Sequence, residues 1–145
     1  MLDELIQTII ATQIPERNSI LFIDDEAICH DIVNLVLRYS TNYNVINAYS
    51  GKEALALAQQ FNKKLGLIFI DILLSDMNGY QIYKLIRENE VLANIPIVFQ
   101  SGVINQISEI NQLIIGKEVD IIHKPYKNDE LINIVNKYMR KKAIT

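Results

Sequence analysis

With 145 residues, half of them hydrophobic and 21% charged, the chain has the size and balance of one globular domain, and no apolar run approaches the roughly 18 residues that a membrane-spanning helix needs. Its net charge of −3 argues against direct nucleic-acid binding, which requires a concentrated basic patch, so the expected partners are proteins. The single cysteine, Cys29, excludes an internal disulfide, and Asp3 and Glu4 stand where an export signal would carry positive charge, so a cytoplasmic protein is expected.

The chain opens on a patterned segment. Leu2, Leu5, Ile6, Ile9 and Ile10 fall on one face at helical spacing, Ile14 extends the stripe, and Pro15 marks its end. Such a stripe must cover something: its own domain, a homodimer seam through residues 1–14, or a groove on a partner. Its acidic residues and lack of lysine or arginine speak against a membrane surface. Residues 1–18 are therefore read as a helical extension and 19–142 as the main domain.

From Ser19 onward, short runs rich in β-branched residues alternate with stretches of helical period, the pattern of a parallel α/β sheet. The first run, Ser19–Ile23, leads into a helix over about Ala27–Tyr39, whose stripe of Ile28, Ile32, Leu35 and Val36 is expected to face the core. Cys29, spaced from Ile32, Val33 and Val36 like a core residue, is expected to be buried on that helix. Val45–Ala48 is the second strand. A helix over Lys52–Phe61 follows, with Ser50 as its N-cap and Ala54, Leu55, Leu57 and Ala58 on its apolar face. Leu67–Ile70 is the third strand, and a helix over Tyr80–Asn89 turns Ile82, Leu85 and Ile86 inward. Ile97–Gln100 is the fourth strand, with a weaker helix over Ile104–Ile115 after it. Ile121–His123 and a helix over Asp129–Lys141 complete the series. Runs apolar on both faces imply helices on both sides of the sheet.

Ligand sites of open parallel sheets lie beyond the carboxyl ends of the strands. Four of the five runs end there in polar chemistry: Asp24 and Asp25, Asp71, Ser101, and Lys124. Singly, each has a bland explanation as a helix cap or a solvated charge; coincidence at four strand ends on one rim is far less easily explained. Three carboxylates brought together repel unless a cation sits among them. Mg²⁺ takes oxygen ligands and keeps open positions, so Asp24, Asp25 and Asp71 form a partial cage for it. A carboxylate there can act as nucleophile on phosphorus, with Lys124 pairing a phosphoryl oxygen and the Ser101 hydroxyl donating to another.

Ile20–Glu26, Ile68–Asp71, Asp76–Tyr80, Ile95–Gly102 and Lys124–Pro125, in that order, resemble the receiver domain of two-component response regulators, a likeness covering residues 19 to 140. The resemblance implies a flavodoxin-like, doubly wound (βα)5 fold: a five-stranded parallel sheet of order 2-1-3-4-5, here with an extra N-terminal amphipathic helix. It implies that Asp71 accepts a phosphoryl group from a histidine kinase or histidine phosphotransfer protein. Asp25 would bind Mg²⁺ directly, Asp24 largely through water and Leu73 through its backbone carbonyl. Ser101 would be the switch hydroxyl and Lys124 the phosphate partner, and the Lys124–Pro125 bond would be cis. A stand-alone phosphoacceptor, not an enzyme, is expected, with output through contact with a downstream protein. The family's usual recognition face falls on Asn105–Ile115, Ile121 and Asp129–Tyr138.

Four positions depart from the family pattern. Ser75 replaces the usual proline, with little effect expected. Ile121 stands where many receivers carry the aromatic residue that swings inward, so that ring cannot be the read-out here. Leu73 and Val103, two residues beyond the acceptor and the switch hydroxyl, are apolar and should position attacking water badly, giving a long-lived aspartyl phosphate. Tyr126 is read as a semi-exposed packing aromatic, and His30 and His123 are assigned no role in the chemistry. Among other classes, an aspartate-nucleophile phosphatase wants an acid/base aspartate where Leu73 stands. A flavin-binding protein wants a hydroxyl- and glycine-rich loop where Asp24, Asp25 and Glu26 would repel phosphate. A phosphate-independent scaffold is the remaining alternative.

Overall fold

A computed structural model describes residues 1–13, 16–103, 110–112 and 119–140, with the side chains of residues 10–13 left aside. Its elements run α1 (Leu2–Gln13), β1 (Ser19–Ile23), α2 (Ala27–Ser40), β2 (Asn44–Ala48), α3 (Gly51–Gln60), β3 (Leu65–Asp71), α4 (Gly79–Glu88), β4 (Ile97–Ser101), β5 (Val119–His123) and α5 (Asn128–Met139). The five strands form one parallel sheet of order β2-β1-β3-β4-β5, as expected from the sequence. Most of the helix anticipated over Ile104–Ile115 lies outside the described residues, as do Ile14 and Pro15; Ile110–Gln112 are helical.

Alternation along each strand divides the core in two. Leu21, Ile23, Ile68, Ile70, Ile97 and Phe99 point to one face and pack with Ala54 and Ala58 of α3 and Ile82 and Ile86 of α4. Ile20, Phe22, Leu67, Phe69 and Val98 point to the other and pack with Val33 and Leu37 of α2 and Leu131, Val135 and Tyr138 of α5. β1, β3 and β4 are buried along their whole length, the reason they read as unbroken apolar runs. Truncating Phe22 or Phe69 to alanine in such a packed layer costs about 3–5 kcal/mol.

Two helix faces depart from expectation. In α2 the buried side chains are His30, Val33 and Leu37, while Ile28, Ile32 and Leu35 face outward. The reason is that α2 carries apolar residues around most of its circumference, so its period fits more than one orientation, and packing against β1 selects Val33 and Leu37. Cys29 and Val36 are half-buried on the flank. In α4, Leu85 is exposed and Tyr83 takes the inward position beside Phe99. α3 agrees with the sequence reading: Ser50 caps it by accepting from the Glu53 N–H at 3.1 Å.

The start of α4 is set by a local cap and a close approach. Asn78 accepts from the Tyr80 N–H while the Gln81 side chain accepts from the Asn78 N–H, a reciprocal capping box. The Gly79 N–H donates to the Ile72 carbonyl at 2.8 Å. A Cβ on Gly79 would run into the carbonyl oxygen of Asp71, so only glycine lets α4 begin this close to the end of β3.

Candidate functional site

Parallel strands ending in register bring their carboxyl ends to one rim. Asp24 follows β1, Asp71 ends β3, Ser101 ends β4, and Lys124 follows β5, its N–H donating to the Ser101 carbonyl at 2.8 Å. One carboxylate oxygen from each of Asp24, Asp25 and Asp71 fits within a sphere of mutual distances no greater than 4.8 Å. The sequence's four strand ends therefore do converge.

Lys124 is the hub. Its Nζ lies 2.7 Å from Asp24 Oδ2 and 2.9 Å from Asp71 Oδ2. Burial by itself would lower the pKa of this ammonium, but hydrogen bonds to two carboxylates outweigh that and hold it above the ordinary lysine range. Asp71, buried at the strand end, is pushed upward first by burial and then by the charge of Asp24, while Lys124 and the Leu73 N–H, donating to Oδ1 at 3.1 Å, pull it down. The carboxyl thus sits in a site that penalises unneutralised negative charge.

Asp24 is completely buried and heavily engaged. Its Oδ1 accepts from the Glu26 N–H at 2.9 Å, and its Oδ2 accepts from Lys124 and from Gln100 Nε2 at 3.2 Å. Gln100 in turn accepts from the Tyr126 hydroxyl at 2.9 Å. Burial raises the Tyr126 phenol well above its ordinary value, so it remains a proton donor to that amide. Behind Asp24, His30 Nε2 lies 2.7 Å from its backbone carbonyl and Nδ1 lies 2.7 Å from Asn47 Oδ1, tying α2 to β2 beneath the acidic pair. Asp25, by contrast, is exposed, and its Oδ2 accepts from the Ser75 hydroxyl at 2.7 Å.

Sequence reasoning missed the contacts of four of these residues. Gln100 carried a readable signal, a carboxamide in the otherwise apolar run Ile97–Phe99, which a buried strand tolerates only with partners. Tyr126 is half-buried, as read, but its hydroxyl is hydrogen-bonded rather than idle. Ser75, assigned little effect, donates its hydroxyl to Asp25. His30, assigned no chemical role, is a buried strut. Ser101 is buried at its strand end with its Oγ engaged by Val103, accepting from that N–H at 3.0 Å. Ile121 is half-buried against the core, and Leu73 and Val103 are exposed at the cleft. The Lys124–Pro125 peptide is cis. Burial and the charge of Asp24 raise the Cys29 thiol to about 11, so this cysteine, 4.0 Å from Lys124 Nζ, is a poor nucleophile.

The loop beyond Asp71 is tied down at its outer end. Asp76 accepts from the Gly51 and Lys52 N–H groups at 2.9 and 3.0 Å, at the start of α3. Those backbone donors hold its carboxyl below the ordinary range.

Against known proteins, residues 20–136 match the family model of the response regulator receiver domain. The transcriptional regulatory protein YvrH of Bacillus subtilis is 28% identical over 126 residues, 87% of this chain and 51% of that protein. The chain spans about half the length of the curated relatives it matches. The receiver domain of a sensor histidine kinase from Pseudomonas aeruginosa, solved with magnesium coordinated in its active-site cleft, is 25% identical with a TM-score of 0.74, covering 86% of this chain and 98% of that one. A chemotaxis protein of Vibrio cholerae, 22% identical with a TM-score of 0.72 over 83% of this chain and 97% of its own, shares the fold. Among the described residues, no helix is long and apolar enough to cross a membrane.

Proposed function

Because the chain belongs to the response regulator receiver family of two-component signalling, we propose that it is a phosphoacceptor switched by Mg²⁺-dependent phosphorylation of Asp71, in the cytoplasm, with a histidine kinase or histidine phosphotransfer protein as donor. The observation that carries this reading is the packing of Asp24, Asp25 and Asp71 oxygens within 4.8 Å of one another, with Lys124 2.9 Å from Asp71.

An all-oxygen set with an exposed member suits a hard divalent cation. Asp24, Asp25, Asp71 and the Leu73 carbonyl would hold Mg²⁺, which when bound screens the repulsion between the carboxylate and the incoming phosphoryl group. Asp71 supplies the nucleophile: a carboxylate oxygen forms a bond to phosphorus as the P–N bond of the donor phosphohistidine breaks and the leaving imidazole takes a proton. Lys124 then pairs a phosphoryl oxygen. Ser101 leaves its contact with Val103 to donate to another, and the conformer in which both reach the phosphate gains population. The altered surface is read by a downstream protein. Apolar Leu73 and Val103 at the mouth give attacking water no hydrogen-bonding partner on their side chains, so the acyl phosphate persists.

Incubation with a small phosphodonor and Mg²⁺, followed by intact mass, tests the reading. One added phosphoryl mass, lost in Asp71→Asn and with a chelator, is the expected result; no added mass would overturn it. Phosphate release from the modified protein should outlast seconds, and loss within seconds would remove the role given to Leu73 and Val103. Ile121, half-buried against the core in the aromatic's place, favours one second reading, a receiver-like scaffold independent of phosphate. The same mass experiment separates the two.

A further inference from the structure

Two helices of this chain carry exposed apolar stripes with the same spacing. On α1, Leu2 and Ile6 are spaced four apart with Leu5 between them, each at least 43% exposed, so the helix does not bury this face on its own domain. On α2, Ile28, Ile32, Leu35 and Tyr39 line up at four-, three- and four-residue steps and are 50% to 81% exposed. An isolated helix of 12 residues is marginal in water, so α1 needs a surface to dock on. We propose that α1 docks antiparallel on the outward face of α2 of a second copy, and that two copies exchange these helices in a twofold dimer.

Charge selects both the direction and the occupant. The first turn of α1 carries Asp3 and Glu4, and its last turn carries no basic residue. The amino end of α2 is acidic, with Asp25, Glu26 and Asp31, whereas its last turn carries Arg38. Antiparallel docking sets Asp3 and Glu4 against Arg38; parallel docking sets them against like charge.

The tether decides which copy can supply that direction. The Asn44 N–H donates to the Asn18 carbonyl at 3.0 Å, so the start of β1 lies beside the start of β2, just past the carboxyl end of α2. The six steps from Gln13 to Ser19 reach about 20 Å when fully stretched. α2, at 14 residues, is itself about 21 Å long. A chain's own α1 can therefore lie along its α2 comfortably only in the parallel, repulsive sense, while a second copy is free to approach in the favourable one.

Sedimentation equilibrium of the full chain tests this. A dimer is expected, with Leu5→Asp and Ile32→Asp each weakening it by at least about a hundredfold, the loss of a buried apolar anchor. Arg38→Glu should weaken it, Asp3→Lys with Glu4→Lys should weaken it, and the three changes together should restore it. Monomer at every concentration, a dimer indifferent to Ile32→Asp, or no recovery on charge reversal would each overturn the proposal. All five positions are exposed and lie outside the acidic cleft, so unchanged circular dichroism and phosphodonor labelling distinguish lost assembly from lost folding and from failure of the phosphoacceptor reading.

Discussion

Asp24 and Asp25 are neighbours of the same chemistry, yet the cleft gives them opposite surroundings. Asp24 lies on an inner wall with Lys124, Asp71, Gln100 and Tyr126, where the Oδ2 atoms of both aspartates meet donors from other strands, Lys124 for both and Gln100 for Asp24. Asp25 lies on an outer lip with Ser75 and Leu73, exposed and accepting from the Ser75 hydroxyl. The inner wall is a prebuilt charge balance that ties β1, β3, β4 and the turn after β5 together. The lip is where side chains can be exchanged at little structural cost.

Lys124→Met should break this contrast most severely. It leaves two carboxylates close together without their cation, and breaking such a pair from one side costs about 3 kcal/mol. Urea denaturation in chelator should show that loss, and added Mg²⁺ should restore part of it by taking over the neutralisation. Gln100→Leu comes next: Asp24 keeps Lys124, but one donor and the acceptor for Tyr126 vanish, for about 1–2 kcal/mol, with Tyr126→Phe costing less than the double loss. On the lip, Ser75→Ala should change stability by less than about 0.5 kcal/mol. If Ser75→Ala proved as costly as Gln100→Leu, the distinction between wall and lip would fail.

The smallest effect concerns pH. The Asp76 carboxyl is held below its ordinary value by the Gly51 and Lys52 N–H groups, so its stabilisation is present above the unfolded carboxylate value of about 3.9 and is lost as pH falls through the lower folded value. Being exposed and screened, it should contribute less than about 1 kcal/mol. The stability gap between the native chain and Asp76→Asn should accordingly narrow as pH drops below about 4.

Strand ends were the most legible part of the molecule, because a parallel sheet leaves its carboxyl rim polar while its strands stay apolar, and Asp24, Asp25, Asp71, Ser101 and Lys124 interrupt long hydrophobic runs at that boundary. The inward face of α2 was not legible: Ile28, Ile32 and Leu35 are as apolar as Val33 and Leu37, and only the sheet chooses between them. Contacts such as Ser75 with Asp25 and Tyr126 with Gln100 join residues 50 and 26 positions apart through geometry that no local pattern encodes. Gln100 alone announced itself, as an amide in a buried strand.

Gly79 carries a further implication for how this chain can drift in sequence. Since any side chain there would strike the backbone of Asp71 itself, the position admits one amino acid, while Ser75, four residues earlier in the same loop, hydrogen-bonds to an exposed carboxylate. The loop is thus rigid in its inheritance at the end that meets α4 and permissive at the end that meets the cleft. Side-chain chemistry can vary at the mouth of the cleft without putting the placement of Asp71 at risk.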